Sequence, residues 1–364
     1  KYFIIRQGAC VAWLQPDEIG DDAGFRIVGT HTDSPALKIK PGELLRNSGW
    51  TQVGVEIYGG MLLNSWLDRE LGIAGRIVTR NGDVHLVKTG AIARVPQLAI
   101  HLDRSVNDGL KLERQGHMQP VISLQEGGLW EHLSSIAGIQ AEDIAGHDLY
   151  CFDVAAPARF GLREEFFASG RLDNLSSAHA ALTAIKSSQP GSDIPVFAAF
   201  DHEEVGSATT TGAGGPLLED VLSRIAAGAG LGVDATRAML RRSWCISADS
   251  GHVIHPNYPA HHDPVVQPQL NQGPLLKINA NQRYATDALG AAVWDAACDA
   301  AGVPTQPFVS NNDMPCGSTI GPITATRLGI TTFDVGIGLL SMHSAREMCG
   351  VEDPHYLARA MAAF

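Results

Sequence analysis

Three short apolar runs in this chain each end in acidic or imidazole side chains: Phe25 to Gly29 before His31 and Asp33, Val196 to Phe200 before Asp201, and Cys245 to Ala248 before Asp249. Such a run, breaking abruptly into polar residues, reads as a buried strand whose carboxyl end carries chemistry. Helical patterns follow at Asn174 to Lys186, Gly215 to Ile225 and Thr286 to Ala301, the first with Leu175, Ala178, Leu182 and Ile185 on one stripe. Strands alternating with helices predict an α/β fold, and ligands of such sheets gather outside the strand carboxyl ends. The polar clusters stand where a site is expected.

The stretch from Ala36 to Arg159 has another texture. Val53 to Tyr58, Gly75 to Thr79, Val84 to Val87 and Val121 to Leu124 are β-prone runs separated by turns such as Asn81-Gly82. This predicts a mainly β insertion over 36–159, interrupting an α/β domain made of 1–35 and 160–364. At about 150 residues per domain, a chain of 364 has room for both.

Composition narrows the partners. With 45% hydrophobic and 18% charged residues the chain has a globular balance, and no run approaches the ~18 apolar residues of a membrane span. Lys plus Arg (27) minus Asp plus Glu (39) gives −12, which disfavours nucleic acid or an anionic membrane as the main partner. Cys10, Cys151, Cys245, Cys298, Cys316 and Cys349 form no CxxC pair, so they read as small buried apolar residues and point to a reducing, cytoplasmic setting.

The chemistry lies in His31-Thr32-Asp33, Leu172-Asp173-Asn174, Glu203-Glu204, Asp249 and Met342-His343-Ser344. Any one of these read alone is a surface histidine or a solvated acid. Together, at strand ends, they would bury carboxylates at high cost without a cation. Imidazoles and carboxylates without sulfur suit Zn²⁺, Mn²⁺ or Co²⁺ and suffice for paired ions sharing a bridge, a hydrolytic arrangement in which the spare acid of the Glu pair takes a proton. Asp33, two residues beyond His31 on an extended chain, is expected to accept the second imidazole N–H.

Gly29-Thr30-His31-Thr32-Asp33-Ser34-Pro35, Arg171-Leu172-Asp173-Asn174, Asp201-His202-Glu203-Glu204-Val205-Gly206-Ser207, Ser247-Ala248-Asp249 and Met342-His343-Ser344-Ala345-Arg346-Glu347 resemble the motifs of the M18 family of dizinc metallo-aminopeptidases. Leu98-Ala99-Ile100-His101-Leu102, His255-Pro256-Asn257-Tyr258, Asn281-Gln282-Arg283-Tyr284-Ala285 and Asn312-Asp313-Met314-Pro315-Cys316-Gly317 resemble its aspartyl aminopeptidase branch, and the likeness runs the length of the chain. It implies a dizinc exopeptidase-type catalytic domain with a mixed sheet flanked by helices, and an inserted β domain that dimerises. It implies that His31 and Asp249 bind one zinc, Glu204 and His343 the other, that Asp173 bridges them, and that Glu203 is the general base. His252, Lys277 and Tyr284, with Glu203 and Asp249, would contact the substrate, a peptide with an N-terminal Asp or Glu. His101 would reach the active site of a neighbouring subunit within a tetrahedral dodecamer built from dimers. The family usually carries a further segment before the position of Lys1. Without the resemblance, Lys277 reads as a strand-edge charge, His101 as an ion-paired surface residue and Asp287 as an acid in a helix's first turn. A neutral-residue aminopeptidase of the family, and a non-catalytic shell, are the other readings.

Overall fold

Each of the three apolar runs forms a strand, and the strands are neighbours in the computed structural model, which describes residues 1–189 and 191–364. They belong to an eight-stranded sheet of β1 (Tyr2–Arg6), β2 (Ala9–Trp13), β3 (Phe25–His31), β4 (Ile194–Phe200), β5 (Trp244–Ala248), β6 (Leu275–Lys277), β7 (Gln306–Phe308) and β8 (Thr331–Gly336), ordered β1-β2-β4-β3-β5-β8-β6-β7. β4, β3, β5 and β8 run parallel, while β2 and β6 pair antiparallel to β4 and β8. Strands buried on both faces need nearly unbroken apolar sequence, which is why these runs do not alternate.

Side chains of successive strand residues enter opposite cores. Ile27, Val196, Ala198 and Phe200 pack with α2 (Leu217–Gly228), α3 (Val233–Arg242) and α5 (Ile320–Leu328). Val28, Phe197, Ala199, Ile246 and Phe333 pack with α1 (Leu172–Ser187), α4 (Ala288–Ala301) and α6 (Asp353–Ala363) on the other side. The predicted stripe of α1 is corrected in half its residues: Ile185 is buried and Ala178 packs against the core, but Leu175 and Leu182 are 42% and 45% exposed, and Ala180, Ala181 and Ala184 face the core instead. Small side chains let α1 lie close to the sheet, and the larger leucines are left outside. Asp287 is the N-cap of α4, its carboxylate accepting from Gly290 N at 2.8 Å.

These elements form one compact unit, Lys1–Ser34 with Ala158–Met342 and Glu347–Phe364; a second comprises Pro35–Pro157 with His343–Arg346. The second unit is mainly β. Its five-stranded antiparallel sheet runs Val55–Tyr58, Ala36–Ile39, Ile144–Asp153, Leu71–Thr79 and Val84–Lys88, with Leu37, Ile39, Leu71, Ile73, Ile77 and Leu149 in its core. Gly75, at φ +149°, sits so close to the neighbouring strand that a Cβ would lie 2.0 Å from the Asp148 carbonyl oxygen. Among the described residues no helix is long and apolar enough to cross a membrane, and all the cysteines are free thiols.

Candidate metal centre

Because β4, β3 and β5 are adjacent and parallel, their carboxyl ends line up about 4.8 Å apart and deliver their terminal residues to one place. His31 is the last residue of β3 and lies opposite Phe200 of β4. Glu203 and Glu204 occupy a single 3-10 turn just beyond β4, and Asp249 follows the end of β5. Asp173 enters at the start of α1, where it and Asn174 depart from helical geometry across a cis peptide bond.

His31, Asp173 and Asp249 are all buried, at 1%, 4% and 8% exposure. Nδ1 of His31 donates to the carbonyl oxygen of Asp33 at 3.0 Å. In the neutral ring Nε2 then carries a lone pair, and it faces Asp249 Oδ1 at 3.2 Å and Asp173 Oδ1 at 3.5 Å. That meeting is repulsive unless a proton or a metal ion lies between. Burial would lower the His31 pKa, but the carboxylates of Asp173, Asp249 and Asp33 raise it well above the usual imidazole range. The pocket demands positive charge. Donor atoms of His31, Asp173 and Asp249 all lie within 4.8 Å of one another, and those of His31, Glu203 and Glu204 form a second such group. A sulfur-free set of this kind fits Zn²⁺.

Asp33 contacts both His31 and the turn that bears the glutamates. The backbone carbonyl, not the carboxylate, makes the close contact with His31, the carboxylate oxygen standing at 3.5 Å. Oδ1 and Oδ2 of Asp33 accept instead from the backbone amides of Glu203 and Glu204 at 3.0 and 3.1 Å. Asp33 therefore sets the ring of His31 with one group and the turn bearing both glutamates with another. Burial, and then the charge of Asp249, push the Glu203 carboxyl up to about 7; a cation in the neighbouring donor set would pull it back down.

Sequence reasoning missed several supports. Glu347, 2% exposed, accepts from Asp173 N at 3.0 Å; Ser34 Oγ donates to the Asp173 carbonyl at 2.6 Å; and Asn174 Nδ2 donates to the Ala248 carbonyl at 2.8 Å. Each adjoins a ligand candidate within its motif, which was the available signal. His343 belongs to the second unit, where its Nδ1 donates to the Gly60 carbonyl at 3.0 Å and leaves Nε2 as the possible donor atom. His101 lies in a turn of that unit, among Leu98, Ile100 and Leu102, which are 57%, 50% and 75% exposed.

Lys277, His252 and Tyr284 are brought together in the first unit. Lys277 is only 1% exposed; its Nζ donates to the Ser250 carbonyl at 2.7 Å, stands 3.4 Å from Asp249 Oδ2 and lies 5.3 Å from the centre of the Tyr284 ring. The rings of His252 and Tyr284 both pack edge-on to Phe308. Lys277 is thus no strand-edge surface charge but a buried cation beside a candidate metal ligand.

Known proteins give this geometry its context. The family model described as aminopeptidase I zinc metalloprotease (M18) matches residues 1–364. A probable M18 family aminopeptidase 2 of Streptomyces coelicolor is 52% identical over 373 residues, covering 100% of this chain and 86% of that protein. One from Mycobacterium leprae is 42% identical, with 100% and 87% covered. Among solved structures, a chain of the Ape4 and Nbr1 complex superposes with a TM-score of 0.95 at 35% identity, covering 100% of this chain and 75% of that one. The S. cerevisiae mApe1 dodecamer gives 0.87 at 27% identity, with 100% and 84% covered.

Proposed function

The chain belongs to the M18 family of zinc metallo-aminopeptidases, and from that premise we propose that it removes N-terminal Asp or Glu from peptides at a centre of two zinc ions. The observation that carries the centre is the imidazole Nε2 of His31 set against two buried carboxylates. His31 and Asp249 would hold one ion, Glu204 and His343 the other, with Asp173 between them. Bound there, zinc supplies Lewis acidity, lowering the pKa of the attacking water and polarising the scissile carbonyl.

The remaining work falls to the chain. Glu203, adjacent to a ligand yet assigned the proton, takes it from the attacking water and returns it to the leaving amine. Asp33 fixes where that carboxylate can reach, since it binds the amides of Glu203 and Glu204 at once. The surplus of carboxylates around His31 suits a free α-ammonium group, which makes the enzyme an exopeptidase. Lys277, Tyr284 and His252 form the wall that meets the first side chain, and Lys277 is the cation available to an acidic one. His101 of a neighbouring subunit would donate to the developing oxyanion. The mApe1 relative is described as a dodecamer, which supports a homo-oligomer here, built from dimers through the second unit.

The pairing of Lys277 with Asp249 favours a second reading, a neutral-residue aminopeptidase, because part of that lysine's charge is already answered. Hydrolysis of Asp-, Glu- and Leu-nitroanilides by metal-replete protein, with zinc counted in the same sample, separates the two. Faster turnover of the acidic substrates supports the acidic preference, and a clear Leu preference overturns it. Full zinc with no turnover on any of them returns the chain to a non-catalytic shell.

A further inference from the structure

Asp334 is fully buried at 0% exposure, and the reaction described above does not use it. It sits in the middle of β8, in register with Ser247 of parallel β5 and with Lys277 of antiparallel β6. Directly paired residues project to the same face of a sheet with Cβ atoms about 5 Å apart, so the carboxylate and the lysine share one side. Oδ1 of Asp334 accepts from Thr319 Oγ1 at 2.5 Å, and Oδ2 accepts from the amide of Ala285 at 2.6 Å. Its own amide donates to Thr286 Oγ1 at 2.8 Å. Thr319 caps α5, and a Cβ on Gly321 in its first turn would come within 2.5 Å of Asp334 Oδ2, so the helix begins hard against the carboxylate. One buried acid thus ties down the residues that follow Tyr284 and the start of α5.

The charge has a second consequence. If Asp249 gives its charge to a metal ion, the buried ammonium of Lys277 is left with the Ser250 carbonyl and little else nearby to balance it. Asp334 is the carboxylate across the strand pair. Burial raises its carboxyl pKa, against the opposing pull of Ser247, Thr319, Ala285 and Lys277.

We propose that Asp334 is a positioning residue of the substrate pocket, one that acts through Lys277 and Tyr284 by balancing the buried ammonium and anchoring the segment that carries the ring. The proposal rests on the reading of Lys277 as a pocket residue and of Asp249 as a ligand.

A double-mutant cycle tests it, with Asp334→Asn, Lys277→Met and the two combined, each as metal-replete full chain on whichever nitroanilide the wild type cleaves fastest. Asp334→Asn should keep its zinc and lose kcat/KM by about 10- to 100-fold. In the Lys277→Met background the same change should cost at least about threefold less, what remains being the part carried by the Tyr284 segment, and the double variant should melt above Asp334→Asn alone. Fold-losses that simply multiply, or a Lys277→Met variant as active as wild type, would overturn the proposal. So would a double variant that fails to fold along with the single one, since Asp334 would then serve the fold by itself. A wild type that prefers the Leu substrate would cancel the acidic preference while leaving the cycle readable.

Discussion

Glu203 and Glu204 are identical in chemistry and adjacent in sequence, yet the proposed function gives them different jobs. Asp33 binds both amides with one carboxylate, so the two side chains leave a fixed backbone in different directions. Glu203→Gln keeps the shape and removes the basicity, so kcat should fall by about 10²–10⁴ with zinc content unchanged. Asp173→Asn should instead release metal, because a neutral amide offsets no cationic charge; zinc analysis of the two variants side by side checks both. Loss of zinc from Glu203→Gln would mean the glutamates have exchanged roles. The candidate residues of this centre were legible where a strand ended: His31, Glu203 and Asp249 follow apolar runs closely, while Asp173, at the start of α1, was marked by its motif alone. Glu347 and Asn174 were not, because their partners lie 174 and 74 residues away in the chain and only the folded sheet joins them.

Among the elements, the parallel strands were readable because burial on both faces forces unbroken apolar sequence, whereas the face of α1 was readable only at Ala178 and Ile185. A helical stripe is inferred from large apolar residues, but α1 packs through Ala180, Ala181 and Ala184, since close approach rewards small side chains more than large ones. The N-terminus of α6 holds a testable case of its own. Asp353 is 1% exposed and accepts from the amides of Asn271 and Gly273, yet burial outweighs these donors and pushes its carboxyl up to about 6. The unfolded value is about 3.9. A folded-state pKa above the unfolded one means that the native protein binds the proton more tightly, so this contribution is full below about pH 4 and is lost as pH rises through about 6. The difference is about 2 pKa units, or about 3 kcal/mol at most. Thermal melts of wild type and Asp353→Asn should therefore diverge between pH 4 and pH 6.5, the wild type losing more stability over that interval. Parallel melting curves would assign the titration to another group.

At the scale of the whole molecule, no local pattern in the sequence shows where His101 would act. Its turn exposes Leu98, Ile100 and Leu102 in the second unit. Exposed apolar side chains in such a cluster suit burial against another copy of the chain, and the proposed oxyanion contact comes from that copy. On this reading His101→Ala keeps zinc and assembly and loses kcat by about 10²–10³. Glu203→Gln is inactive for an unrelated reason, which makes the pair informative together. In a mixed dimer, the site of the His101→Ala subunit has its own Glu203 and receives the partner's intact histidine, while the other site lacks both groups. Random exchange at equal amounts makes half of the pairs mixed, and half of the sites in each are complete, so activity should return to about a quarter of wild type. Subunit exchange is verified by mixing differently tagged chains and recovering both tags on one oligomer. If exchange is complete and the mixture stays as inactive as its parents, His101 acts within its own chain or has no part in catalysis. The oligomer would then serve stability alone.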